Sequence, residues 1–423
     1  MTAEEIVRYV VSRAVWAPSL HNTQPWRFAA DGGPRISLHA DVERRLSVAD
    51  PDGREMMISC GAALFTIRLA LRSLGYIPET RVLPDPAQPD LVAQVAWHER
   101  ADADEFERRL SGHVLTRRTH RGAFDPEPLP PDTLAALRDA AAREGAALRI
   151  MADDGRRATL AAAVQTAEYQ LRQDGERLRE LARWTPAPGS VRHDGVPATS
   201  YPARAEHTEP FFPGRDFSRG HGWGVPPLSA ATSHRAAGVA GLLTTTADRP
   251  VDWVHAGQAL QRILLTASIC GAAVALHSQP LELPWLREVL RTQLSDAACP
   301  HLVLRIGLVT QVALSVRRDP GDVLFPAGDD RADPAPGTRP DRGADQVGVL
   351  RFAGGREPRP GGRRRRPRAG GVSGQLRPGP AHRGVPHRAG YQAMRGPAGQ
   401  PGLPRGRRDR CGRANPLERD RAR

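Results

Sequence analysis

The sequence predicts a body that mixes helices and strands in two related halves, followed by a tail of different character. Three observations carry this. Two apolar helical segments of the same length, Gly61 to Gly75 and Gly257 to Gly271, each precede a strand-like run. Apolar residues match between them at Ala63 and Ala259, Leu64 and Leu260, Ile67 and Ile263, and Leu69 and Leu265. The charge changes character after residue 325. Residues 326–423 hold 23 Arg and 9 acidic residues, whereas residues 1–325 hold 37 Arg and 38 acidic residues. The overall formal charge of +13 therefore belongs to the tail, and the body is neutral.

The first helix is announced by Thr2 and Glu5 at capping-box spacing. Ile6, Val7, Val10, Val11, Ala14 and Val15 then recur at helical intervals. Pro18 ends it, and the stretch APSLHNTQPWRF (17–28) reads as a stiff loop between two prolines. RISLHA (35–40) alternates like a strand. Asp50-Pro51-Asp52-Gly53 is a turn that can cap the next helix. That helix, 54–75, is apolar almost all round and is expected to be buried. LVAQVAWHE (91–99) reads as a strand, residues 131–145 as an amphipathic helix, and ALRIMA (147–152) as a strand. Residues 183–235 are rich in Pro, Gly, His and aromatic residues with little periodicity. A loop of that length is usually disordered or functional, often a lid. The second buried helix leads to the strand HLVLRIGLV (301–309). Matching segments nearly two hundred residues apart imply two half-domains rather than a solenoid, or two buried helices that share small residues by chance. We therefore expect halves at 1–114 and 115–325, with 326–423 as an Arg/Gly/Pro-rich disordered tail.

All 60 basic residues are Arg, as a GC-rich coding sequence produces. The tail holds GGRRRRPRAGG (361–371) and too few apolar residues to offset the entropy of folding. It reads as a solvated extension or an out-of-frame translation; nucleic-acid binding is a third reading, confined to the tail. Cys60, Cys270, Cys299 and Cys411 form no CxxC pair and are expected to be free thiols. MTAEEIVRYVV has no signal-peptide pattern, and no membrane span is expected, so a cytoplasmic protein is.

The 17–28 loop has the equipment to bind a flat, hydrogen-bonding ring. Ser19, Asn22 and Gln24 bring donors and acceptors, and Trp26 an apolar anchor. An isoalloxazine edge would use such a set; a capped turn around a buried Trp is the alternative. Arg117, Arg118, Thr119 and Arg121 put guanidinium forks and a hydroxyl within five residues, which suits a phosphate monoester. Arg317 and Arg318 could join them; each pair alone also fits a solvated surface. The P-loop, GxGxxG, HExxH and GxSxG patterns are absent, so hydrolase and zinc chemistry have no starting point.

In this order the motifs resemble the nitroreductase superfamily. APSLHNTQPWRF resembles its flavin loop, RRTHRGAF (115–124 with its flanks) its phosphate motif, residues 252–282 its core helix and following loop, and RRDPGDVLF (317–325) its basic C-terminal motif. The phosphate motif follows the Pro-Ser loop instead of preceding it. That order, with the doubled helix, resembles the Acg branch, in which two nitroreductase-like halves are fused. The resemblance covers about residues 1–325. It implies an α+β, nitroreductase-like fold built as a tandem pseudo-dimer, with an antiparallel sheet wrapped by helices. It also implies FMN held between the halves, and a monomer, since fusion removes the usual reason to dimerise. By matching position it implies flavin contacts from Ser19, Asn22, Gln24, Pro25, Trp26, Arg27 and Phe28. Phosphate contacts would come from Arg117, Arg118, Thr119, Arg317 and Arg318, and contacts beside the ring from Ser278 and Gln279. Segment 183–235 falls where that branch carries a lid. The expected activity is oxidation of NADPH or NADH with transfer to a small-molecule electron acceptor such as a nitro compound or quinone. The flavin carries the chemistry, so no catalytic side chain and no metal are named. A protein that holds FMN under a closed lid without turnover is the other expectation.

Overall fold

The computed structural model describes residues 1–187, 189–200, 208–217, 234–235, 238–310 and 315–326. The basic tail, Cys411 and the remaining parts of the 183–235 segment lie outside the described residues.

Helix α1 (Ala3–Ala14) starts at Thr2, where both bonds of the capping box form. The 17–28 loop then feeds β1 (Trp26–Ala30), an antiparallel neighbour of β2 (Arg35–Ala40). Helix α2 (Arg54–Ser73) begins after Gly53, whose φ of 73° suits a residue without Cβ. The Asp50 carboxyl caps it from the preceding turn, accepting the amides of Glu55 and Met56 at 3.0 and 2.9 Å. Gly75, at φ 78°, ends the helix, and β3 (Tyr76–Val82) and β4 (Leu91–Arg100) follow. These four strands form an antiparallel sheet in the order β1-β2-β4-β3. α3 (Glu105–His113) closes this part of the chain.

The second part comprises α4 (Pro131–Ala142), β5 (Ala147–Ile150), α5 (Asp154–Leu171) and α6 (Gly175–Arg183). A two-stranded ribbon follows, β6 (Thr208–Glu209) with β7 (His234–Arg235). Then come β8 (Val239–Thr245), α7 (Pro250–Ile269), β9 (Ala272–His277), α8 (Pro284–Gln293) and β10 (Cys299–Leu308). The sheet order is β5-β8-β10-β9, again antiparallel throughout. Both sheets thus run first strand, second, fourth, third, with the long helix between the second and third. The chain then crosses back, and β11 (Leu324–Pro326) pairs in parallel with β1 at the edge of the first sheet.

Helices α2 and α7 lie side by side in the centre, and one apolar core runs across them from Ile36, Leu38 and Val92 of the first sheet to Leu243, Val274 and Leu304 of the second. Their contact is reciprocal. A Cβ on Gly61 would meet the Val254 carbonyl oxygen at 2.2 Å, and a Cβ on Gly257 would meet that of Ile58 at 2.0 Å. The far face of the second sheet is covered by α5 and α8 through Leu160, Val164, Leu286 and Leu290. By length and mean hydropathy (1.3) α2 could cross a membrane, but 83% of that stretch is buried inside the body; burial on all sides demands the same composition.

Several elements differ from expectation. Trp26–Ala30 is a strand, not the end of a loop. β3 was missed because Pro78 interrupts its alternation, which an edge position tolerates. α5 was missed because its Ala-rich sequence has almost no polar-apolar periodicity. Cys60 and Cys299 are free thiols, but Cys270 is disulfide-bonded, which corrects the expectation for it.

Candidate flavin cavity

The 17–28 loop is held in an uncommon backbone conformation. His21, Asn22 and Gln24 all have positive φ, at 49°, 55° and 50°, where side chains with a Cβ are disfavoured. Hydrogen bonds from several directions hold it there. The Gln24 amide donates to Ser19 Oγ at 2.9 Å, and Arg44 Nε donates to the Thr23 carbonyl at 2.6 Å. Asn22 Nδ2 donates to the carbonyls of Gly195 and Val316 at 3.0 and 3.2 Å. Gln24 Nε2 donates to the His193 carbonyl at 2.8 Å, and Gln24 Oε1 accepts the Arg318 amide at 2.8 Å. The two amides therefore stitch three remote segments together.

Beside this loop lies a cluster of arginines. Arg117 is buried, and its one hydrogen bond runs from Nη2 to the Trp16 carbonyl at 3.0 Å; Nε and Nη1 are buried without a partner. Arg317 binds Asn22 Oδ1 at 3.0 Å and the Ala17 carbonyl at 3.2 Å, and its Nε is likewise unpartnered. The Arg118 and Arg317 guanidiniums lie 4.4 and 5.6 Å from the Trp16 ring centre. Among the described residues no carboxylate pairs with Arg117, Arg121 or Arg317; Arg318 has Asp41 at 3.8 Å. Burial, reinforced by the neighbouring guanidiniums, pushes Arg117 down to about 9, and burial alone pushes Arg121 to about 10. Arg317 is pushed down in the same way by burial and by Arg117, Arg118 and Arg121. Buried like charges with unmet donors are unfavourable until an anion joins them.

A cavity shares Arg121 with this cluster. Thr119 to Gly122, Pro18 to His21 and Ala275 to Gln279 contribute to its wall. Glu55, Ile58 and Ser59 of α2 face it, and Phe211, Phe212, Arg215 and Phe217 close it from the 183–235 segment. Arg215 is anchored by an ion pair with Glu282 and by Ser278 Oγ at 3.2 Å. Phe217 packs edge-on against His21, centroids 5.6 Å apart. His277 Nδ1 binds the Pro213 carbonyl at 3.2 Å, so that nitrogen carries the proton and Nε2 is a bare acceptor without a partner. Burial, helped by Arg305, pushes His277 down to about 3. His21 is lowered by burial and by Arg215 and Arg121. Both imidazoles are neutral at physiological pH.

Of the residues singled out in the sequence, Ser19, Thr119, Arg121, Ser278 and Gln279 line this cavity. Asn22 and Gln24 support the loop from behind. Pro25 accepts a bond from Cys60 Sγ at 3.2 Å, Trp26 and Phe28 lie in the core, and Arg27 stacks on Phe325. Arg117, Arg118, Arg317 and Arg318 stand around the loop rather than on the cavity wall. Leu20, His21, Glu55, Ser59, Arg215 and His277 line the wall without having been anticipated. For Glu55 a signal existed: it is the one acid in a helix that is otherwise largely apolar. Among the described residues no group of His, Cys, Asp and Glu could hold a metal ion.

A central helix pair lies between two sheets, and a partly aromatic cavity lies close to an arginine cluster whose donors are unmet. The chain is 35% identical over 306 residues to a protein provisionally named NAD(P)H nitroreductase Rv3131 of Mycobacterium tuberculosis, which covers 72% of this chain and 85% of that one. It is 29% identical over 320 residues to the protein provisionally named NAD(P)H nitroreductase acg of the same organism, covering 74% and 92%. The chain belongs to the nitroreductase superfamily, in its Acg-like branch. No protein-family profile matches it. Among solved structures it resembles a protein of Anabaena variabilis provisionally named a nitroreductase, at 12% identity, covering 72% of this chain and 88% of that one with a TM-score of 0.39. It also resembles an FMN-bound nitroreductase of Bacteroides fragilis at 14% identity, covering 52% and 96%, with a TM-score of 0.29. Likenesses at that level add nothing to the assignment, which rests on the sequence relatives.

Proposed function

We propose that this chain is an FMN-dependent NAD(P)H oxidoreductase of nitroreductase type, acting on nitro compounds, quinones or similar acceptors. The observation that carries the reading is the arginine cluster around the 17–28 loop, next in sequence to the wall residues Thr119 and Arg121, where Arg117 and Arg317 keep buried N–H groups without partners and, among the described residues, no carboxylate pairs with them. That donor set fits a phosphate dianion. Arg117, Arg317 and Arg121 would hold the phosphate, with Thr119 offering a hydroxyl. Ser19, Ser278, Gln279 and the bare Nε2 of His277 would meet a polar ring edge, and Ile58, Leu20 and Leu276 its apolar faces. Bound flavin supplies reversible hydride chemistry; the protein binds it, orients it and excludes water.

Several features support the finer expectations. The common strand order of the two sheets and the reciprocal glycine contact of α2 and α7 fit an internal duplication, since isologous halves repeat each contact with roles exchanged. The cavity then lies between halves of one chain, in a monomer working in the cytoplasm. Residues 193–195 and 211–217 close on the loop and cavity and act as a lid. The same closure favours a second reading, in which the flavin is held but shielded.

The test is anaerobic addition of NADPH and then NADH to FMN-loaded protein, followed at the visible flavin bands. Bleaching that reverses with menadione supports the reductase. Bands that resist nucleotide but bleach with dithionite after removal of 193–217 support the shielded flavin. Failure to bind FMN on titration overturns both.

A further inference from the structure

Glu55 is the one acidic side chain on the cavity wall among the described residues. It stands in the first turn of α2, one turn before Ser59, whose Oγ donates to the Glu55 carbonyl at 2.7 Å. Its carboxyl is buried. Oε1 accepts from Arg54 Nη1 at 3.2 Å, while Oε2 has no partner among the described residues and is not sealed over. Arg54 is shared: Nη2 also binds His301 Nδ1 at 2.6 Å and the Pro300 carbonyl at 2.5 Å, and Nε binds Asp248 at 3.2 Å.

The charged groups around Glu55 come from every neighbouring element: Asp50 before the helix, Arg54 on it, Glu282 after β9, and Arg287 on α8. Also on the cavity wall are His21, His120, Arg121, Arg215, His277 and Arg305. Burial is the dominant influence, opposed by Arg54 and aided by Asp50 and Glu282, and it pushes the carboxyl up to about 8. Glu55 thus carries its proton at pH 7, with a free oxygen at the cavity, where His21 and His277 are neutral and the guanidiniums stay charged.

We propose that Glu55 is the proton donor to the electron acceptor reduced in this cavity. The proposal rests on the flavin reading above. With a quinone, bound reduced flavin would supply two electrons and one hydrogen, which would end on one quinone oxygen. The Oε2–H bond of Glu55 breaks and its proton forms the second O–H bond. The products are hydroquinone, oxidised flavin and a Glu55 carboxylate, which takes a proton back from water at the cavity mouth.

The experiment uses the full chain loaded with FMN, reduced with dithionite and mixed anaerobically with one of two acceptors. Menadione needs the proton; ferricyanide takes electrons alone. Glu55→Gln should bind FMN as the unsubstituted chain does and keep its ferricyanide rate, while its menadione rate falls about a hundredfold. In the unsubstituted chain the menadione rate should decline as pH rises through about 8, with the ferricyanide rate level. Independently of turnover, infrared difference spectra of flavin-free protein should show a protonated carboxyl at neutral pH that fades through the same range and is missing from Glu55→Gln. Equal slowing with both acceptors, no slowing with either, or no protonated carboxyl at neutral pH overturns the proposal. If Glu55→Gln does not fold, a menadione-to-ferricyanide ratio that stays flat from about pH 6 to about pH 10 overturns it, and a ratio that falls above about pH 8 supports it. A chain that takes up no FMN fails the flavin reading instead, and that titration is made first.

Discussion

Arg117 and Arg118 are neighbours in sequence with opposite surroundings. Arg118 is partly exposed, rests on the Trp16 ring and binds the carbonyls of Leu115 and Arg117 at 2.8 Å. Arg117 is buried with two N–H groups unmet. Replacing Arg117 with Ala should weaken FMN binding by about 2 kcal/mol, roughly thirtyfold, because a charge-assisted contact to a dianion is lost. Arg118→Ala should weaken it several times less. Fluorescence titration with FMN checks both. Glu55 has a stability consequence apart from any chemistry. Its carboxyl holds its proton up to about 8 when folded but only to the ordinary value near 4.5 when unfolded. Between those values the folded chain binds more protons than the unfolded one, so stability falls as pH rises. Gln does not titrate. The melting temperature of Glu55→Gln relative to the unsubstituted chain should therefore rise steadily from about pH 5 to about pH 8. A difference that stays constant across that window contradicts the assigned carboxyl.

At the scale of elements, the α2 and α7 contact depends on two glycines. The atoms a Cβ would meet there are backbone carbonyls, which cannot rotate away as a side-chain tip can. Gly61→Ala and Gly257→Ala should each destabilise the protein by about 3 kcal/mol or more in urea unfolding. Gly112, exposed in α3 with nothing near its missing Cβ, is the control: Ala there should stabilise by roughly 0.5–1 kcal/mol. The loop teaches a different lesson. From the sequence, Asn22 and Gln24 read as ligand-binding amides, because the residue types supply the right donors and acceptors. In the fold those groups meet carbonyls at 193, 195 and 316 and the amide of Arg318. Nothing local marks which partner an amide will take when candidates lie some 170 to 290 positions away.

At the scale of the molecule, both sheets and the returning strand β11 are complete by residue 326. A chain ending there should bind FMN with the affinity of the full chain, at one flavin per chain, and sediment as a monomer. Loss of binding on truncation, or a stable dimer in sedimentation, contradicts that organisation. The amphipathic and capped elements were legible: α1 with its capping box, the two central helices between a turn and a closing glycine, the strands at 35–40, 91–100, 147–150 and 299–308. Periodicity and capping are local and survive in a single sequence. The weakly patterned α5 and the proline-containing β3 were not, since packing alone holds them. The sequence by itself determined the central helix pair, the shift of charge at residue 325 and the arginine-rich motif that points to an anion. Only the tertiary structure decided that Arg117 rather than Arg118 is the buried, unmet guanidinium, that His277 offers a bare nitrogen, and that Glu55 faces a cavity with its proton held. Burial and partner choice set those properties, and both depend on residues far away along the chain.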